Sequence, residues 1–516
     1  MIQVIHNRNV VLKISKDDQS LEIFDNLNIP ETVYKLATLY PSELILWCHI
    51  DLVSFINYEQ IGTICNSNSE MISYTISDEN YLSKNIGFVE QSVFINFSKK
   101  VKIATWQMSS AIGMAHAAVF SAVKTTLKPV KDFDYFLNSV AKIMMPLGVF
   151  CYSNPNLLTE RNVEIHFKQK VSFTNLFKFV SQHYKKVWLL VLLVCLIYKK
   201  GKFPIFAFLK SFFYSKIRID KIEIKPFNLL TMFENKYSNA IDVLIPTIGR
   251  KEPLYHFLKN LAEQTILPKS VIVIEQNPII NAVSELDYLV NESWPFQIKH
   301  QLIYELGACN ARNLALKEIT SDWVFFADDD IEIQNNFLEN CLENAKKYKQ
   351  QVFSLSCLLR TEKKHFTTCF QWVSFGSGAS FVNSNAIKNL KFDSKYEFGF
   401  GEDADFGMQI RNNGNDIVYF PTPEIIHLKA PMGGFRTKVT RKWDNDLIEP
   451  KPSPTVMVFK LTHDSEEQLF AYQFMYFFRN YTFKDLIHPI KKYKTLLSKW
   501  NRSVYWAQKL ISNNEF

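Results

Sequence analysis

The sequence predicts an α/β protein of more than one domain, and three observations carry that reading. Short apolar runs rich in β-branched residues alternate with segments whose apolar residues recur at helical spacing, as in βαβ units. Three consecutive carboxylates, Asp328-Asp329-Asp330, close the apolar run Trp323–Ala327 at what would be a strand end. The 516 residues exceed what one hydrophobic core organises. The expected division is an α/β accessory domain over 1–165, a helical, basic-aromatic connector over 166–235, a second α/β domain over 236–450 and a helical region over 451–516.

Residues 1–160 alternate strand-like and helical runs, with Leu44–Trp47 and Val93–Ile95 among the strand-like ones. Ile112–Ala118 (IGMAHAA) resembles a ligand-facing loop of small residues, but no acidic triplet precedes it. This region is therefore expected to be an α/β domain without a metal site. Val187–Tyr198 (VWLLVLLVCLIY) is apolar throughout and flanked by Lys185, Lys186, Lys199 and Lys200. It falls short of the roughly 20 residues needed to span a bilayer. Phe203, Phe206, Phe208, Phe212, Phe213 and Tyr214 then mix with Lys210, Lys216 and Arg218, the pattern of a helix lying at a membrane surface. Packing between domains and dimerisation are the alternatives.

Ile241–Ile245 reads as a buried strand that ends in the turn Pro246-Thr247-Ile248-Gly249-Arg250. Leu254, Phe257, Leu258 and Leu261 follow at helical spacing, and Ser270–Glu275 (SVIVIE) is a second strand ending in a carboxylate. Ligands of such sheets sit beyond the carboxyl ends of the strands, where Thr247, Arg250 and Glu275 fall. Arg250 suits a phosphate, and Glu275 suits a base or ribose hydroxyl; a turn cap is the structural alternative for Glu275. Gly307–Leu316 (GACNARNLAL) opens a helix with small residues that let a ligand approach the backbone, and Arg312 lies one turn in.

Three adjacent carboxylates repel one another and resist burial, which a hard divalent cation with oxygen ligands would relieve. The alternative is a solvated acidic turn. Beyond the triplet, Gly376-Ser377-Gly378-Ala379-Ser380 forms a small-residue loop before the strand-like Phe381-Val382. Phe398–Asp405 (FGFGEDAD) leads into a helical run, Phe406–Arg411, with Gly414 placed as its C-terminal cap. Glu402 and Asp403 would suit a helix start electrostatically, or serve as a general base at a cleft edge. His427 ends the apolar run Ile425-Ile426; a lone histidine is more often structural, but the carboxylate cluster offers it a partner. From about residue 455 the pattern is helical, with a crowded aromatic face of Phe470, Tyr472, Phe474, Met475, Phe477 and Phe478.

Between Ile241 and Gly434 these pieces, in this order, resemble a family 2 inverting glycosyltransferase. The resemblance implies a GT-A-type, Rossmann-like catalytic domain, preceded here by a second α/β domain that is a degenerate GT-A relative or an unrelated accessory domain. It implies a nucleotide-contacting group of Pro246, Thr247, Ile248, Arg250, Glu275, Arg312, Asp328 and Asp329. Glu275 stands where the family usually has Asp. Asp328 and Asp330 match the DXD motif, and with His427 would hold Mn²⁺ or Mg²⁺. Asp403 matches the catalytic base, with Glu402 as its neighbour. Gly376, Ser377, Gly378 and Gly401 would line the donor and acceptor side. The implied reaction moves a sugar from a nucleotide-sugar donor, a UDP-sugar in this reading, to a saccharide or lipid-linked saccharide acceptor in surface glycan biosynthesis.

Net charge is +8, which suits an anionic donor or membrane surface, and no nucleic-acid-binding motif accompanies it. The eight cysteines include no CxxC pair and no zinc spacing, and the N-terminus lacks the apolar core of a signal peptide. A cytoplasmic protein, peripheral at the inner face of the cell membrane and open to homo-oligomerisation, is the expectation. Two rivals remain: a non-catalytic nucleotide-sugar or glycan-binding partner of another transferase, and a nucleotidyltransferase. The turn PTIGRKE has one glycine and matches poorly the Gly-rich triphosphate loop that the latter needs.

Overall fold

The computed structural model describes residues 1–512 apart from 23, 25–26, 78, 97, 161–169, 221, 223–227, 229–237, 431–440, 483–484 and 486. The chain divides into two compact units. The first comprises Met1–Phe233 with Asp464–Tyr476, the second Glu234–His463 with Phe477–Phe516. Both are α/β, and the helical basic-aromatic segment and helical C-terminus are present, so the architecture is the one expected.

The strands of the first unit are β1 (Ile2–Asn7), β2 (Val10–Lys16), β3 (Gln19–Leu21), β4 (Leu44–His49), β5 (Glu70–Tyr74), β6 (Ile103–Ala104), β7 (Ile112–His116) and β8 (Phe150–Ser153). They form one mixed sheet in the order β3-β2-β1-β4-β7-β5-β8-β6. Its helices are α1 (Ile29–Leu39), α2 (Tyr58–Ile64), α3 (Ala117–Val123), α4 (Phe133–Met144), α5 (Phe173–His183), α6 (Val187–Lys200) and α7 (Ile205–Ser211). Two local expectations are corrected here. Val93–Ile95 is a single 3₁₀ turn, too short to pair as a strand. Ile112–His116 is strand β7 and not a loop: its residues are all buried, and it pairs antiparallel with β4 and β5, where small residues fit between two strands. Gly113 is needed there, since a Cβ would lie 2.3 Å from the Trp47 ring.

Helix α6 buries Leu189, Val191, Leu192, Leu193, Cys195 and Leu196 but leaves Val187, Leu190 and Tyr198 exposed. Among the described residues no helix is long and apolar enough to cross a membrane.

The second unit holds β9 (Ile241–Ile248), β10 (Ser270–Gln276), β11 (Gln297–Ile303), β12 (Trp323–Ala327), β13 (Ile331–Glu332), β14 (Val352–Leu358), β15 (Phe370–Gln371), β16 (Ala379–Asn383) and β17 (Val418–His427). The sheet order is β11-β10-β9-β12-β16-β14-β17-β13, with β15 paired to β17. Its helices are α8 (Lys251–Ala262), α9 (Tyr288–Asn291), α10 (Ala308–Lys317), α11 (Phe337–Tyr348), α12 (Glu402–Asn412) and α13 (Pro454–His463); α14 (Glu466–Arg479) passes from the first unit into the second, and α15 (Pro489–Ser512) closes the chain.

Strands β10, β9 and β12 are parallel and buried throughout but for the last turn of β9, so their carboxyl ends open at one edge. At the opposite ends Asp242 ties the three strands together, accepting from Ser270 Oγ (2.5 Å), Thr320 N (2.7 Å), Ser321 N (2.9 Å) and Ser321 Oγ (2.8 Å). Four hydrogen bonds offset the cost of burying that carboxylate and hold it below its ordinary range. Helix α8 buries the predicted Leu254, Phe257, Leu258 and Leu261 against the sheet.

Candidate active site

The acidic triplet sits where β12 ends, beside the end of β9. Its three carboxylates take three different surroundings. Asp329 turns towards β9, where Thr247 Oγ1 donates to it at 2.6 Å and the Arg250 guanidinium meets it at 2.5 Å. Burial pushes its pKa up to about 6, against the pull of Arg250 and Thr247. Asp330 accepts from Ala430 N at 2.8 Å and lies 3.3 Å from Arg250 and 3.4 Å from His427 Nε2. Asp328 is partly exposed; Arg312 approaches it at 3.7 Å. The surrounding side chains partly desolvate it, and with Asp330 and Asp403 nearby its pKa is raised despite Arg312.

Asp328, Asp330 and His427 each offer a ligand atom, and those atoms lie within 4.8 Å of one another. Two carboxylate oxygens and one imidazole nitrogen are a donor set that suits Mn²⁺ and, less well, Mg²⁺. The site is framed by backbone: β13 pairs with β17 so that Ile331 lies opposite His427, and Leu428 N donates to Asp330 O at 2.8 Å. Residues 431–440, including the Gly434 that ended the matching stretch, lie outside the described residues.

The loop Gly376-Ser377-Gly378 joins the triplet to the acidic helix. Gly378 O accepts from Asp328 N, and a Cβ on Gly378 would lie 2.1 Å from the Asp328 carboxylate. Ser377 N donates to Asp403 Oδ2 at 3.3 Å. Asp403 Oδ1 is buried with no hydrogen-bond partner among the described residues. Glu402, beside it, has a raised pKa from burial and from the charge of Asp403. Both stand in the first turn of α12, where the helix dipole favours them. Gly401 supplies the left-handed turn (φ 115°) that starts the helix under the Tyr396 ring. The helix is anchored by Phe406 stacked on Phe392 (4.1 Å between ring centres) and by the fully buried Arg411, which donates to Trp372 O. Gly414 ends it with φ 85°, as its spacing predicts.

The remaining candidates stand at the ends of β9 and β10 and in α10. Arg312 is buried, stands over the Phe392 ring at 5.6 Å, and has a buried Nε without a partner among the described residues. Pro246 and Ile248 flank Thr247 at the half-buried end of β9. Glu275 is buried at the end of β10, and its carboxylate accepts from Ser284 Oγ (2.6 Å), Glu285 N (3.0 Å) and His300 Nε2 (2.9 Å). Burial opposes its ionisation, but these three bonds outweigh it and lower its pKa. It therefore caps the Ser284-Glu285 turn as well as standing at the expected strand end.

Three residues important to this geometry carry no signal in the sequence. Glu397 closes the N-terminus of α10, accepting from Cys309 N (3.1 Å) and Asn310 N (2.9 Å), and would collide with any side chain at Gly307 (φ 145°). His300, from the neighbouring strand β11, fixes Glu275. His463, from α13, holds Asp405 at 2.7 Å; with Tyr396 and Gln409 also bound to it, Asp405 is a structural acceptor tying α12 to its surroundings. Spacing could not find them, because each reaches its partner through the tertiary fold.

Residues 242–385 match the family model described as glycosyl transferase family 2. No curated protein matches the sequence significantly. Among solved structures, S. aureus TarS 1–349 aligns at 18% identity over 36% of this chain and 59% of that one, with a TM-score of 0.31. The same protein in complex with UDP-GlcNAc aligns at 17% over 45% and 70%, with a TM-score of 0.35. GalNAc-T7 with UDP, GalNAc and Mn²⁺ aligns at 11% over 38% and 44%, with a TM-score of 0.31. The chain spans under two thirds of the first of these, and at such TM-scores the likenesses add nothing to the family match.

Proposed function

Since this chain carries a family 2 glycosyltransferase domain, we propose that it is an inverting, divalent-cation-dependent glycosyltransferase that moves a sugar from a nucleotide-sugar donor, a UDP-sugar in this proposal, to a saccharide or lipid-linked saccharide. The observation that carries the reading is the loop that meets both acidic groups: Gly378 against Asp328 and Ser377 on Asp403. Asp328, Asp330 and His427 would hold the Mn²⁺ or Mg²⁺, whose charge would offset that of the diphosphate leaving group. Thr247 and Arg250 fix Asp329, and Pro246, Ile248 and Glu275 border the space assigned to the nucleoside. Arg312, with its spare N–H, faces the same side and suits a phosphate oxygen.

In the proposed step the acceptor oxygen bonds to the anomeric carbon as the bond from that carbon to the diphosphate breaks. The acceptor proton passes to Asp403, and the configuration inverts. A buried carboxylate oxygen with no partner costs on the order of 1–3 kcal/mol, a cost that a base awaiting a hydroxyl explains. A non-catalytic binding protein has no use for such an oxygen, so this observation favours the enzyme. Purified protein with UDP-sugars and a cell-envelope saccharide extract should release nucleoside diphosphate. Release of pyrophosphate would mark nucleotidyl transfer, and release of neither would mark a binding protein.

The proposal places the protein on the inner face of an anionic phospholipid bilayer, where lipid-linked acceptors would be presented. Support comes from Phe203, Phe206, Leu209, Phe212 and Phe213, each more than half exposed around α7, with Lys202, Lys210, Lys216 and Arg218 beside them. Aromatic rings enter the headgroup region while the cations meet lipid phosphates. Co-sedimentation with phosphatidylglycerol vesicles should exceed that with phosphatidylcholine vesicles and fall at least tenfold in Phe206→Ser/Phe213→Ser. Equal retention by both vesicle types would contradict it.

A further inference from the structure

The first unit repeats the strand frame of the second. In the second, β9-β12-β16-β14-β17 run side by side in the sense parallel, antiparallel, antiparallel, parallel, with the short β15 antiparallel on β17. In the first, β1-β4-β7-β5-β8 run side by side in the same four senses, with the short β6 antiparallel on β8. The order of these strands along the chain is also the same. Matching Trp323 to Leu44 brings Asn383 to His116, Val352 to Met71, Phe353 to Ile72, Val418 to Tyr152 and Phe370 to Ile103, with every pairing in register. Hydrogen bonds just outside the strands obey this match. Trp372 N donates to Ile417 O as Thr105 N donates to Cys151 O, and Ser384 N to Asp322 O as Ala117 N to Glu43 O.

The match extends to the site. Asp328 N donates to Gly378 O, and His49 N donates to Ala111 O, so His49-Ile50-Asp51 stand in place of Asp328-Asp329-Asp330. Ser377 corresponds to Ser110. Asp403, the second residue of α12, corresponds to Asp134, the second residue of α4. Ser377 N donates to Asp403, and Ser110 N donates to Asp134 at 2.7 Å.

The differences are as consistent as the likeness. Asp134 is satisfied where Asp403 is not, since Ser110 Oγ donates to its second oxygen at 2.8 Å. His6 Nε2 meets Ser110 O at 2.8 Å, and its ring stands edge-on to His49 and Phe133, the residues at the positions of Asp328 and Glu402. The half of the sheet assigned to the nucleotide has been exchanged. After β1 the chain turns back as the antiparallel β2 and β3, where the second unit has the parallel β10 and β11. A turn into a helix like Pro246–Arg250 is thereby lost, and α1, which takes the chain position of α10 before the central strand, carries no arginine.

We propose that the first unit is a second copy of the glycosyltransferase fold whose donor site has been closed, leaving the chain one nucleotide site and one divalent-cation site, both in the second unit. Asp134 persists at the position of the base as a structural acceptor that ties α4 to the Ser109–Ala111 loop. The identity of the working site rests on the proposed function; the closure of the other does not.

The test is calorimetric titration of the full chain with UDP, GDP, dTDP and CMP in the presence of Mn²⁺, for wild type, Asp330→Ala and Asp134→Asn. The expected result is one equivalent of one nucleotide, weakened at least a hundredfold in Asp330→Ala and changed less than twofold in Asp134→Asn. Two equivalents in wild type, one equivalent surviving in Asp330→Ala, or loss of binding in folded Asp134→Asn would overturn the proposal. If Asp134→Asn does not fold, His49→Asn takes its place with the same readings. Absence of all nucleotide binding would refute the transferase reading of the second unit, while agreeing with a closed first unit.

Discussion

Asp403 and Asp134 occupy matching positions and differ in one hydrogen bond, and that bond separates their chemistry. Asp403 Oδ1 has no partner among the described residues, whereas both oxygens of Asp134 are taken by Ser110. General-base catalysis contributes roughly 10²–10⁴ in rate, so Asp403→Asn should lower kcat by about that factor. Nucleotide affinity, measured alongside by titration, should hardly move. Gly378 is a second sharp test. Because its Cβ would lie 2.1 Å from the Asp328 carboxylate, Gly378→Ala must displace that group. Mn²⁺ titration should show affinity reduced at least tenfold, with the far-ultraviolet dichroism unchanged.

At the scale of elements, the N-terminus of α10 is held by a carboxylate from a distant loop. Glu397 satisfies the Cys309 and Asn310 N–H groups, and Glu397→Ala should cost about 1–2 kcal/mol, read as a lower unfolding temperature. The sequence makes much of this level legible. Strand ends marked by Pro246–Arg250, Glu275 and the acidic triplet, and the helix entered at Glu402-Asp403, follow from apolar period and turn chemistry alone. Glu397 and His463 are illegible because their partners, Cys309, Asn310 and Asp405, come from separate elements that only the fold brings near. The frame shared by the two units is hidden for a related reason: it resides in strand pairing, which His49-Ile50-Asp51 preserves in position while keeping only the last of the triplet's three carboxylates.

Helix α4 offers a test by pH. Burial raises the pKa of Asp134 from an ordinary 3.8 to about 7, although both hydrogen bonds from Ser110 favour the charged form. A raised folded-state pKa means the contribution to stability is fully present below about pH 4 and is lost as the pH rises towards and through 7. Asp134→Asn removes that loss. The variant should therefore unfold at a higher temperature than wild type at pH 8, by an amount on the order of a few kcal/mol, and the advantage should vanish near pH 4. Parallel unfolding curves with the same pH slope in both proteins would contradict the assignment.

For the whole molecule, the described residues hold two strand frames of one kind and a single assembly of acidic triplet, small-residue loop and acidic helix. Net charge of +8 suits both the diphosphate donor and the anionic bilayer proposed for α7. In the proposed transfer from a nucleotide-sugar, Asp403 draws the proton from the acceptor. The most direct test is the rate of nucleoside diphosphate release from UDP-sugars with a cell-envelope acceptor extract and Mn²⁺, compared between wild type and Asp403→Asn at matched nucleotide occupancy. Release should depend on acceptor in wild type and be reduced at least a hundredfold in the variant. Release at the wild-type rate from Asp403→Asn would contradict it.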